Sequence, residues 1–139
     1  METQLREAFG AEVRALRVAK NIGFSEMLKR TGLDGGNYSK MERGLMPAPK
    51  DMTKLSRIIA ALDLSNESAE SRELMRLADL SRGDIPRSIL SDDRLVGKLP
   101  ALFRQLAEGP LNDIEIEALI QKVRDAHTGE PDGEVAWKK

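Results

Sequence analysis

Two adjacent carboxylates, Asp92 and Asp93, are the kind of pair that general acid–base chemistry uses, one protonated and the other ionised. They directly precede the apolar series that starts at Leu95, so a helix N-cap explains them more simply. Gly35-Gly36 is the only adjacent glycine pair, but the spacing and the Lys-Ser/Thr of a phosphate-binding Walker loop are missing. His127 is the single histidine and there is no cysteine. A histidine-based triad, a multi-histidine metal site, thiol catalysis, thiolate metal binding and disulfides are thereby excluded. The chain reads as a non-enzyme without a cofactor.

The 139 residues suit one or two small domains. Apolar residues make up 40% and charged residues 32%, which argues against wholesale disorder. Aromatic residues are few, and Leu, Ala, Glu and Arg dominate, which favours helices over strands. No apolar run reaches the roughly 18–20 residues of a membrane span. Met1 to Gly10 is too charged for a secretion signal. The expectation is a cytoplasmic protein with no membrane partner. Net charge is −1, but residues 1–64 carry +3 and residues 65–139 carry −4. A basic half beside an acidic half is compatible with one segment that faces nucleic acid.

Apolar spacing places the elements that would carry any such face. Leu5, Phe9, Val13 and Leu16 recur at helical period until Asn21-Ile22-Gly23 breaks them. Phe24, Met27 and Leu28 predict a second helix that stops at Gly32. Asp34 is placed to N-cap a third through Arg43, with Tyr38 and Met41 inward and Gly44 as its stop. Pro47 and Pro49 make an extended link. A fourth helix follows from about Asp51 to Leu62, with Met52, Leu55, Ile58, Ile59 and Leu62 on one face. The second and third helices are joined by a three-residue turn containing Gly, which is helix-turn-helix spacing. A fifth helix is predicted near Glu70 to Leu80. Leu95, Leu99, Leu102, Phe103 and Leu106 continue the helical period and read as core, with an interface as the alternative. Pro100 is expected to interrupt or restart that helix. Asn112 and Glu115 form a capping box for a last helix with Ile116, Leu119, Ile120 and Val123 inward. Residues 128–139 read as a flexible tail.

The stretch TGLDGGNYSKMERG, Thr31 to Gly44, resembles the lambda repressor/Cro-type, or XRE-like, helix-turn-helix family. The resemblance covers roughly Phe9 to Ser65. It implies an all-α chain: a four- to five-helix DNA-binding domain over 1–64, then a small helical region over 65–127. It also implies a cytoplasmic transcriptional regulator of a bacterial or phage operon, most simply a homodimeric repressor bound to operator DNA. By position, Gly35, Gly36, Asn37 and Lys40 would face base edges in the major groove. Asn can pair with adenine and Lys with guanine. Arg43 and Lys50 would meet phosphates, and Arg17 and Glu42 would form a partly buried ion pair.

Four positions depart from the family pattern. Gly35 and Gly36 stand where side chains commonly touch bases. They read either as close backbone approach to phosphate or as a loosened helix start with little direct readout. Phe24 replaces a Gln that often touches the DNA backbone, and Leu28 replaces a small residue between the two motif helices. The stretch LADLSRGDIPRSILSDDRLVGKLPALFRQL resembles C-terminal extensions that dimerise, some of them answering to a protein partner or protease. Ile116, Leu119, Ile120 and Val123 are the candidate dimer contacts. The alternative function is an antitoxin-like or adaptor protein whose main role is to bind a protein partner.

Overall fold

The computed structural model of the protein describes residues 2–128. Among them are eight α-helices and no strand: α1 (Glu2–Ala19), α2 (Phe24–Thr31), α3 (Gly35–Glu42), α4 (Met52–Ala61), α5 (Ala69–Ser81), α6 (Arg87–Leu90), α7 (Asp93–Glu108) and α8 (Asp113–Thr128). No described helix is long and apolar enough to cross a membrane. The tail expected over 128–139 lies outside the described residues, apart from Thr128, where α8 ends.

Helix starts follow the cap chemistry. The side chain of Asp34 accepts the Asn37 N–H at 3.0 Å, Asp51 accepts that of Thr53 at 2.8 Å, and Ser68 accepts that of Ser71 at 3.1 Å. Each satisfies one orphan donor of a first turn. Asp92 plays the same part for α7, its Oδ1 accepting from Arg94 at 3.0 Å and Leu95 at 3.3 Å. The Asn112–Glu115 capping box is reciprocal, at 3.0 and 2.8 Å.

One core joins the first five helices. Phe9 and Val13 of α1, Met27 of α2, Tyr38 and Met41 of α3, Leu55, Ile58 and Ile59 of α4, and Leu74 and Ala78 of α5 are all buried in it. Met52, expected on the inner face of α4, is exposed. It occupies the first helical turn, beyond the edge of the core, where its sulfur meets the Arg87 guanidinium. α1 packs along both α3 and α5, and α2 packs on α4. The compact units are Met1–Leu95 and the segment from Val96 onward, so they do not part at residue 64. The reason is that α5 buries its apolar stripe in the same core as α1.

The second unit differs from expectation in two ways. Leu102, Phe103 and Leu106 of α7 are exposed and not core, as is Leu95 at the end of the first unit, and Leu99 is only half-buried. Ile116, Leu119, Ile120 and Val123 of α8 are likewise exposed and do not face an interior. No buried residue occurs among the described residues after Val96, so among them these stripes have no core to enter. Pro100 lies inside α7 and does not interrupt it. Its ring holds φ at a helical value, so the helix gives up the one hydrogen bond that an N–H at that position would make.

Two helices approach closely at Gly10. A Cβ built there would lie 2.5 Å from the Glu42 carbonyl oxygen and nearer still to that of Met41. α1 and the end of α3 are therefore in backbone contact. Just beyond, Gly44 takes φ +79° and sits over Glu7, where a Cβ would come within 2.8 Å of the Glu7 Cα. In an exposed helix Gly→Ala gains about 1 kcal/mol. Gly10→Ala is expected to do the reverse, lowering stability by about 1–3 kcal/mol in urea titration through overpacking. A stabilised variant would show that the two helices are not pressed together.

Candidate nucleic-acid interface

α3 is amphipathic in a simple sense. Tyr38 and Met41 are buried, while Gly36, Asn37, Lys40 and Arg43 are exposed and Gly35 is half-buried. Positions 36, 37, 40 and 43 fall on one face of a helix at 3.6 residues per turn. Asn37 and Lys40 thus stand beside each other in solvent. Arg43 folds back on its own helix, its Nε reaching the Ser39 carbonyl at 3.3 Å and hydroxyl at 3.2 Å. Lys50 lies in the link between α3 and α4 and is exposed.

What sets the roll of α3 is a three-donor site on Glu42. Arg17 Nε donates to Glu42 Oε2 at 2.8 Å and Nη2 donates to Oε1 at 3.0 Å, the parallel geometry suited to a carboxylate. The Tyr38 hydroxyl donates to Oε2 at 2.6 Å. The same Arg17 donates from Nη1 to the Ile22 carbonyl at 2.9 Å, in the turn between α1 and α2. The side chains of Arg17 and Glu42 are only 12% and 7% exposed. Burial pushes the Tyr38 phenol well above its usual range, and its bond to the ionised Glu42 adds to that; the nearby Arg17 partly opposes both.

Two departures from the family pattern explain each other. A Cβ on Gly35 would lie 3.3 Å from Leu28 Cδ1, tighter than ordinary contact. The larger Leu28 is thus housed beside the start of α3 because residue 35 has no side chain. A Cβ on Gly36 would meet only the Asp34 carboxylate, at 3.4 Å, so packing gives no reason for that glycine. Phe24 packs edge-on to Tyr38, ring centroids 5.6 Å apart. Roughly a third of its surface remains in solvent at the start of α2.

A second set of residues, not singled out from the sequence, holds the Lys50 link. Ser81 Oγ accepts the Ala48 N–H at 2.9 Å, and Arg82 Nη1 donates to the Pro49 carbonyl at 3.0 Å. Arg82 and Arg87 in turn both donate to the buried carboxylate of Asp79, each at 2.5 Å through Nη2. Burial alone would raise the Asp79 carboxyl, but hydrogen bonds from Arg87, with Arg82 nearby, hold it below the usual carboxylate range. The one sequence signal is Asp79 and Arg82 at helical i, i+3 spacing. Arg87 lies beyond Pro86 and joins them only through the fold.

No protein-family model, curated protein or solved structure matches the chain.

Tyr38 is the only tyrosine, so phenol ionisation can be read from it alone. With the folded value raised, the unfolded chain gives up its proton first, near pH 10. Stability from this group is therefore complete below about pH 10 and falls above it. Ultraviolet absorbance should show no phenolate in the folded protein until it unfolds, and Tyr38→Phe should make the alkaline loss of stability shallower. A phenol that titrates normally in folded protein would contradict the Glu42 bond.

Proposed function

We propose that the chain is a sequence-specific DNA-binding transcriptional regulator of the lambda repressor/Cro-type helix-turn-helix kind, acting as a homodimeric repressor of a bacterial or phage operon. α2 and α3 are its motif helices, and α3 is the recognition helix. The observation that carries this reading is the split of α3: Tyr38 and Met41 are locked into the core while Gly36, Asn37, Lys40 and Arg43 face solvent together. An α-helix presented in this way fits the major groove, with its first residues at base edges. Gly36 leaves the backbone at the start of α3 uncovered for close approach to the duplex. Lys50 and Arg43 flank the helix as phosphate contacts that fix register.

In mobility shifts against DNA upstream of its own gene, binding should be specific and should weaken with added salt. Asn37→Ala and Lys40→Ala should each cost about 1–3 kcal/mol, roughly 5- to 150-fold, on the preferred sequence. Lys50→Ala should weaken all sequences alike and lower the salt slope by about 1. Absence of binding at low salt would favour the competing reading, an antitoxin-like or adaptor protein.

One motif of this size binds weakly, and two half-sites one DNA turn apart require two copies. The exposed stripes of α7 and α8 support such pairing. Leu102 and Phe103 each leave 47% of their surface in solvent, and neither helix buries its apolar side. The adaptor reading draws on the same stripes, with a foreign protein covering them. Sedimentation of the isolated protein should give twice the chain mass. Leu102→Asp with Phe103→Asp should give monomers whose operator affinity is at least about tenfold lower. A monomeric parent would hand the stripes to another protein.

A further inference from the structure

A cleft of about 450 Å³ opens beside α3, within the size range of small-molecule sites. Leu33, Met41, Met46 and Pro47 line it with apolar surface. Lys50 and Lys54 also border it, both exposed and neither paired with a carboxylate among the described residues. The wall formed by the α3–α4 link is pinned from α5 by the Ser81–Ala48 and Arg82–Pro49 hydrogen bonds. The cleft is therefore formed before anything enters it. Arg82 is engaged with Asp79 and Asp84, so it supplies wall and not free charge. Asp34 also lines the cleft and keeps its negative charge while its Oδ2 accepts the Asn37 N–H, so a bound carboxylate must turn toward Lys50 and Lys54.

We propose that this cleft binds a small amphipathic anion, a carboxylate with an aromatic or short aliphatic body, and that its occupancy opposes DNA binding. The apolar body rests on Leu33, Pro47 and the half-buried Met46, whose flexible thioether adapts to shape, with the buried Met41 as fixed wall. The carboxylate is met by Lys50 and Lys54. A cation would be repelled by that pair, and a neutral compound would gain no attraction from it. The competition follows from shared residues: Asn37 and Lys50 border the cleft and are also DNA contacts in the proposed function, on which this second half rests. The binding site itself stands without it.

The full chain, free of DNA and labelled at its methionine methyls, would be titrated with 4-phenylbutyrate and, separately, with the uncharged 4-phenylbutyramide. The Met41 and Met46 methyl signals should move saturably with the carboxylate while Met27, buried elsewhere in the core, serves as reference. The amide, and the carboxylate on Lys50→Ala/Lys54→Ala, should each bind about tenfold more weakly or worse. Equal affinity for both compounds, unmoved Met41 and Met46, or shifts confined to α7 and α8 would each overturn the site. In mobility shifts, 4-phenylbutyrate should release DNA from the parent and not from the double variant, compared at equal DNA occupancy. DNA retained while the methyls are saturated overturns the competition alone. A chain that binds 4-phenylbutyrate but no DNA sinks the proposed function and leaves the site standing.

Discussion

The guanidinium of Arg17 holds three stretches of chain at once: α1, on which it is carried, the turn at Ile22 and the end of α3 at Glu42. The carboxylate it meets is nearly dry and takes a third donor from Tyr38. Such a pair adds little net stability over a well-packed apolar substitute, but removing one member strands the other at a cost of about 3–5 kcal/mol. Against a total of about 5–15 kcal/mol for a typical domain, that is a large share. Its second effect is orientation. With Glu42 and Tyr38 fixed, the rotation of α3 about its axis is fixed too, and so is the identity of the residues it shows to solvent. Gly10 completes the clamp by letting α1 come against the last carbonyls of α3.

A second electrostatic centre governs the chain just after that helix. Asp79 draws Arg82 and Arg87 together, and Arg82 reaches from there to the Pro49 carbonyl. The link that carries Lys50 is thus supported from α5 and α6. Its position depends on residues more than thirty places further along the chain.

Much of the first unit is legible in the sequence because its signals are local. The Leu5–Phe9–Val13–Leu16 stripe and the cap at Asp34 depend on near neighbours along the chain, as does the Asn112–Glu115 box in the second unit. The inward direction of Tyr38 follows from the same spacing. Other features are long-range and leave no periodic trace. The Gly10 contact needs α3 to lie across α1, and the Arg87–Asp79 bond needs the bend at Pro86. Leu28 and Gly35 look like two separate oddities until their atoms are seen side by side. The apolar spacing of α7 and α8 is correctly read as amphipathic, yet periodicity reports only that a face is apolar. It does not say whether the cover comes from the same chain. Pro100 misleads for a related reason, since a helix can absorb one missing bond that a propensity scale counts as a stop.

The bridge from Ser81 and Arg82 to Ala48 and Pro49 bears on how the protein may be cut into pieces. A fragment ended after the fourth helix would keep every residue of the α3 face and still lose the props beneath the following link. It would also bare the side of α1 that α5 covers. Excision downstream of Leu90 spares both, and that fragment is about half as long again as one ended after α4.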